Sequence, residues 1–276
     1  AAAIPGKYRN VSGILLHLPQ NKYVILDCGE GSVGQIARLY GQEQLQAVID
    51  SVRVVCLTHI HADHHLGVMS VMLSRSATAS RLTVFAPESF REWYSEYELA
   101  SGIDLNIDFV SCSGYQSHQF DDIHIQSFPV NHCPDAHGFR VDHHDQSLVY
   151  SGDCRPSDSL IQHAQKATIL IHEATMPDDL LEEAIARKHC TVSEALAVAR
   201  DCRCEYCVLT HVTQRYAKSF PTLPPGDSTN SSNSAFAADL MSFGVADLPG
   251  LISVSGLLPT ESSSPIDTVD SSDTVN

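Results

Sequence analysis

Apolar and polar positions along the chain predict many short strands interleaved with helices, an α/β protein. Residues 54–57, Val-Val-Cys-Leu, carry no polar interruption and read as a strand buried on both faces. Residues 11–18 predict an earlier strand, with 23–27 its hairpin partner across the turn at 19–22. The turn Asp27-Cys28-Gly29-Glu30-Gly31 feeds a helix over 33–40. Residues 66–73 have helical spacing, 82–85 are a short strand, and Pro87 opens a helix through Trp93 and Tyr94. Ile123 and Ile125 alternate with polar residues, 127–130 run into Asn131-His132, and 138–141 with 147–150 form a hairpin. A buried strand at 168–171 ends in His172-Glu173. Thr191 and Glu194 form a capping box opening a helix, and 206–210 is a strand ending at His211. Residues 235–251 hold enough apolar content for one more helix and strand. From Leu258 on, Ser, Asp, Thr and Pro dominate. The expected organisation is one domain over 1–257 and an acidic disordered tail over 258–276.

One arrangement recurs: an apolar strand delivers chemically able residues at its C-terminal end, at Asp27, His59, His132, Asp153, His172-Glu173 and His211. A sheet holds such residues rigidly while leaving the loop open to substrate. The densest case is His59-x-His61-x-Asp63-His64, four metal-ligand types within six positions. Imidazoles with a carboxylate suit zinc or a similar divalent ion. His132 or His211 taken alone could be a hydrogen-bonded core histidine; the shared strand-end position favours ligation. With His132, Asp153 and His211 the set reaches seven ligands, enough for two ions about 3.5–4 Å apart sharing one carboxylate. Such a pair activates a water and clamps the oxygens of a phosphodiester. Asp63 is the natural general base. His189, oriented by Glu173, could protonate a leaving alkoxide.

The net charge of −16 in 276 residues argues against a broad basic face gripping nucleic acid. The segment from Pro221 onward has no Lys or Arg and contributes −7. Nine cysteines, an odd number scattered through strands and a helix end, suit a reducing intracellular compartment better than a disulfide framework. Cys202-x-Cys204-x-x-Cys207 fits no standard closed zinc pattern and reads as buried thiols. Trp93, Tyr94 and Tyr97 at helical spacing read as core rather than as a base-stacking surface. No apolar run approaches a membrane span.

The His59-x-His61-x-Asp63-His64 motif, with His132, Asp153 and His211, resembles the metallo-β-lactamase superfamily. Further stretches narrow the likeness to the C-terminal half of the long form of tRNase Z, the tRNA 3′-processing endonuclease. They are 5–12 (PGKYRNVS), 26–31 (LDCGEG), 130–136 (VNHCPDA), 150–153 (YSGD), 172–175 (HEAT), 189–191 (HCT) and 211–216 (HVTQRY). The resemblance runs from the start of the chain to about Tyr216, and more loosely to about Leu251. It implies an αβ/βα sandwich with two zinc ions, manganese or another divalent ion being an alternative. His59, His61 and His132 would hold one ion, Asp63, His64 and His211 the other, and Asp153 would bridge them. Asp63 would be the base, and His189 with Glu173 the donor pair. Lys7, Arg9, Asn10 and Arg215 would contact RNA. The implied reaction is hydrolysis of precursor tRNA on the 3′ side of the discriminator nucleotide, leaving a 3′-hydroxyl, in the nucleus, the mitochondrion or both.

The sequence departs from the family pattern in several places. Cys190 and Thr213 stand where Ser is usual, and His137 where Tyr is common. The glycine-rich strand expected before Ala3 is absent, which suggests a fragment whose first sheet is a strand short. Nothing between Phe85 and Phe120 resembles the tRNA-gripping arm, so an N-terminal half or a second subunit is expected to supply it. The rival readings are another dinuclear hydrolase on this fold, such as a small phosphodiesterase or thioesterase, and a non-catalytic RNA-binding partner.

Overall fold

The computed structural model describes residues 5–6, 9–213, 223 and 233–248. In chain order the elements are β1 (Gly13–Leu18), β2 (Lys22–Cys28), α1 (Ser32–Tyr40), α2 (Gln42–Asp50), β3 (Val52–Cys56), α3 (Ala62–His65) and α4 (Val68–Ser74). Then come β4 (Leu82–Ala86), α5 (Glu88–Ser101), β5 (Ile107–Ser111), β6 (Gln116–Phe120), β7 (Ile123–Pro129), β8 (His137–His143) and β9 (Gln146–Tyr150). The remainder are α6 (Asp158–His163), β10 (Ile169–Glu173), α7 (Leu181–Arg187), α8 (Val192–Cys202), β11 (Tyr206–Thr210) and β12 (Ser234–Phe236).

The strands form two sheets, one of five in the order β1-β2-β3-β4-β5 and one of seven in the order β12-β11-β10-β9-β8-β7-β6. Period-two alternation of apolar side chains decides how they stack. Val24 and Leu26 of β2, with Val54 and Cys56 of β3, meet Phe139, Val141, Ile169, Ile171 and Val208 of the other sheet in a buried central layer. The alternate residues Tyr23, Ile25 and Val55 face outward into a second core closed by Ile36 of α1, Val48 and Ile49 of α2, Val71 of α4 and Phe90 of α5. On the far side, Leu170, Cys207 and Leu209 pack under Leu160 of α6 and Ala195, Val198 and Ala199 of α8. The result is the expected αβ/βα sandwich of four layers.

Register gathers the strand ends. β2 and β3 are parallel, with Leu26 beside Cys56, so Asp27 and His59 leave one edge together. β9, β10 and β11 are mutually parallel, which places Asp153, Glu173 and His211 on a common edge. β8 is antiparallel to both β7 and β9, so the loop after β7 that carries His132 joins the same edge. The Thr58 carbonyl accepts from His137 N at 2.9 Å, and the Tyr150 hydroxyl donates to Asp27 at 2.9 Å, tying the sheets together there.

Several elements differ from the sequence expectation. α2, α6, α7, β5 and β6 were not expected. The helix expected over 66–73 is preceded by the separate turn α3, which carries Asp63 and His64. Of the helix and strand expected over 235–251, the strand is present as β12 and a 3-10 turn spans Val245–Asp247, while residues 249–251 lie outside the described residues. Between Phe85 and Phe120 the chain is spent on α5, β5 and β6. Trp93, Tyr94 and Tyr97 pack against the outer core under the first sheet, which agrees with the core reading. The tail over 258–276 lies outside the described residues. No helix among the described residues is long and apolar enough to cross a membrane.

Candidate active site

All seven candidate ligands meet at the shared edge, in two clusters. In the first, His59 Nε2 lies 2.9 Å from His61 Nδ1, and His132 Nε2 lies 3.2 Å from the same atom. In the second, Asp63 Oδ2 is 3.2 Å from His211 Nε2 and 3.3 Å from His64 Nε2. Asp153 lies between them. Its Oδ2 is 3.3 Å from His64 Nε2 and 4.0 Å from both His59 Nε2 and His132 Nε2.

The tautomers are set from behind. Asp27 accepts from Thr58 N (2.8 Å), the Thr58 hydroxyl (2.9 Å), His64 Nδ1 (2.7 Å) and Tyr150, all without exposure to solvent. His64 Nδ1–H therefore points at Asp27 and leaves Nε2 as a lone pair facing the site. Thr58 has one proton, which it gives to Asp27, so its oxygen accepts from His59 Nδ1 at 2.9 Å. His59 Nε2 is thereby also left bare. The second cluster repeats this chain: His211 Nδ1 to the Thr175 hydroxyl (2.8 Å), and that hydroxyl to Glu173 (2.5 Å). His132 Nδ1 donates to the Lys188 carbonyl at 2.9 Å. These are the outer partners that orient metal-binding imidazoles.

Backbone strain is concentrated at the same edge. Asp27 and His211 both sit at left-handed φ, +52° and +57°, a conformation costing of order 1–3 kcal/mol that survives only where surroundings enforce it. Gly152, at φ +58°, lets the chain turn against Thr58; a Cβ there would meet Thr58 Cγ2 at 2.8 Å.

The donor set fits divalent metal ions. His64 Nε2 and Asp153 Oδ1 are buried with no hydrogen-bond partner among the described residues, and such groups are costly unless something satisfies them. Bare imidazole nitrogens within 3.2 Å of one another cannot all be bridged by protons. His59, His61 and His132 form one group of potential ligand atoms, and Asp63, His64, Asp153 and His211 another. Burial works against the charge of Asp63, but the neighbouring His211 and His64 rings outweigh it and hold its pKa well below the usual carboxylate range.

His189 Nδ1 is 2.8 Å from Glu173 Oε1 and 3.9 Å from Asp153 Oδ2. Burial disfavours its imidazolium, yet the Glu173 carboxylate prevails and pushes its pKa up to about 8. Glu173 also accepts from Cys154 N (2.7 Å), Cys190 N (3.0 Å) and Thr175 N (3.2 Å), so five donors hold it. Arg155, two residues past Asp153, donates to the His189 carbonyl at 2.7 Å and pairs with Glu194, bracing the His189 loop against α8.

The four residues expected to contact RNA are divided. Arg9 is buried, its guanidinium 3.5 Å from the Val212 carbonyl, and Asn10 is half-buried with its backbone N–H on Asp239. Lys7 and Arg215 lie outside the described residues. Sequence reasoning placed Asp27 at a strand end without a task. It did not anticipate the hydroxyls of Thr58, Thr175 and Tyr150. A cavity of about 590 Å³ opens beside β1 and α1, and none of the seven ligand residues lines it.

The sandwich and its double ligand cluster define the class, and the chain belongs to the β-lactamase superfamily: the Beta-lactamase superfamily domain matches residues 22–212. The chain is 37% identical over 265 residues to Ribonuclease Z, mitochondrial, of Drosophila melanogaster, covering 90% of this chain and 34% of that protein. It is 38% identical over 243 residues to Zinc phosphodiesterase ELAC protein 2 of Mus musculus, covering 79% and 29%. A long-form RNase Z from yeast superposes with a TM-score of 0.77 at 25% identity, over 93% of this chain and 42% of that one. The short form of human tRNase Z superposes at 0.73 with 22% identity, over 88% and 96%, a likeness of fold. The chain thus spans about a third of the length of these curated relatives.

Proposed function

We propose that this chain is the catalytic part of a zinc-dependent endoribonuclease that cleaves precursor tRNA on the 3′ side of the discriminator nucleotide, leaving a 3′-hydroxyl. The observation that supports it best is the His189–Glu173 pair, 3.9 Å from Asp153 beside the ligand clusters. His59, His61 and His132 would hold one divalent ion, and Asp63, His64 and His211 the other, with Asp153 between them. Two ions so held supply Lewis acidity and lower the pKa of a water.

The chain's own groups do the rest. Asp63, kept ionised by His64 and His211, orients the attacking water and accepts its proton. Glu173 keeps His189 protonated near neutral pH, and His189 gives its proton to the departing ribose oxygen, an alkoxide that leaves poorly without one. Exposed His61 marks the open side through which the RNA enters. Lys7, Asn10 and Arg215 contact the RNA near the scissile phosphate, while buried Arg9 steadies the loop of His211 from beneath. The tRNA-gripping arm comes from an N-terminal half or a second subunit, and the nucleus or mitochondrion is the site of action.

The donor role is tested by leaving-group chemistry. His189→Ala should lose cleavage of RNA by about 10²–10⁴-fold, the usual contribution of one acid. It should still hydrolyse a bis(nitrophenyl) phosphate, whose phenolate needs no proton. Equal loss on both substrates would remove His189 from that role.

A further inference from the structure

Behind the catalytic edge lies a second group of metal-binding atoms. Cys154, His172 and Cys190 are each 0% exposed, and one ligand atom from each lies within 4.8 Å of the others. We propose that these three residues form a separate site for a thiophilic divalent cation, of which zinc is the natural type.

The tautomer of His172 carries the argument. Its Nδ1 donates to the Glu173 carbonyl at 2.7 Å, and burial holds the ring below its ordinary pKa, so it is neutral. Nε2 is therefore an unprotonated lone pair. It is fully buried and has no hydrogen-bond partner among the described residues. A buried acceptor without a donor is the condition a cation relieves. The two sulphurs of the group come from segments held in place by the same carboxylate, since Cys154 N and Cys190 N both donate to Glu173. A His and two Cys presented by rigid backbone make a sulphur–nitrogen set that selects soft or borderline ions, unlike the oxygen- and nitrogen-lined centre in front of it.

Charge selects the valence. Binding releases the two thiol protons to solvent, and two thiolates then neutralise a divalent ion. A monovalent ion would leave a net negative charge buried beside Glu173 and Asp153, which is costly. The Cys154 carbonyl, 3.0 Å from Cys190 Sγ, is the oxygen nearest to hand for a fourth position. Glu173 joins the two sites physically, because it anchors the backbone of both cysteines and the ring of His189.

The test uses the whole chain with its catalytic centre first saturated with zinc, kept reduced with a phosphine, and titrated with cadmium chloride. The proposal predicts one further metal per chain and a thiolate-to-cadmium charge-transfer absorption that saturates at one equivalent. That absorption should vanish in Cys190→Ser and Cys154→Ser and persist in Cys204→Ser, which alters the other sulphur cluster. Cadmium NMR of the unmutated chain reads the ligand set without any variant and should show two sulphurs. Absence of the absorption, a three-sulphur resonance, or an absorption lost only in Cys204→Ser would overturn the proposal.

Discussion

Asp27→Asn is the perturbation that reaches furthest into this site while touching no substrate. Asp27 is acceptor to four donor groups and wholly buried. Asparagine keeps its shape but presents one oxygen and one NH₂. With the NH₂ toward His64 and Tyr150, His64 must move its proton to Nε2, the atom 3.3 Å from both Asp63 and Asp153, and it ceases to be a ligand. With the NH₂ toward Thr58 N, two donors face each other in the interior, at a cost of about 1–3 kcal/mol. Loss of such an orienting partner lowers metal affinity by about 10–100-fold, or roughly 1.4–2.8 kcal/mol. Zinc affinity measured by chelator competition, beside circular dichroism and urea unfolding, checks both figures. A folded Asp27→Asn protein with unchanged zinc affinity would refute the claim that Asp27 sets the ligand tautomers.

Two further substitutions probe the donor pair and the Thr58 relay. The pKa of His189 is raised from 6.5 to about 8 by Glu173. Its donor form, and the stability it lends, are therefore present below the ordinary histidine value and lost as pH rises through about 8. Glu173→Gln should draw the alkaline limb of kcat/KM down toward 6.5. That corresponds to about 2 kcal/mol, and to an activity about eightfold lower near pH 7.5 from protonation alone; an unmoved limb would exclude the pair. Gly152→Ala, which places a Cβ at 2.8 Å from Thr58 at positive φ, should lower unfolding stability by about 1–3 kcal/mol. It should also weaken zinc binding, because Thr58 relays between Asp27 and His59; calorimetry and zinc content check it.

What could be read from the sequence followed from how local each signal is. His59, His61, Asp63 and His64 announce themselves within six positions, and the other candidate ligands each end an apolar strand that alternation reveals. Their gathering on one edge is a consequence of parallel register, so strand ends were a sound guide. Asp27 was a different case. Its partners are 31, 37 and 123 residues away, and a lone aspartate in a glycine turn has an ordinary local explanation. The hydroxyls of Thr58, Thr175 and Tyr150 carry no sequence signature at all. α6, α7, β5 and β6 are five to seven residues long, and β6 (Gln-Ser-His-Gln-Phe) is a half-exposed edge strand with almost no apolar pattern. In the stretch around Ala235, the strand expected from its apolar content is present as Ser234–Phe236, paired in parallel register with β11. Arg9, which the resemblance implies as an RNA contact, is buried with its guanidinium 3.5 Å from the Val212 carbonyl.

The most direct test of the central claim is incubation of the zinc-loaded chain with a 3′-extended precursor tRNA, followed by mapping of the product ends, with Asp63→Ala in parallel. The account predicts a cut next to the discriminator nucleotide that leaves a 3′-hydroxyl and disappears in the variant. Hydrolysis of a small phosphodiester with no cut in the tRNA, when the arm is supplied by a long-form N-terminal half, would contradict it.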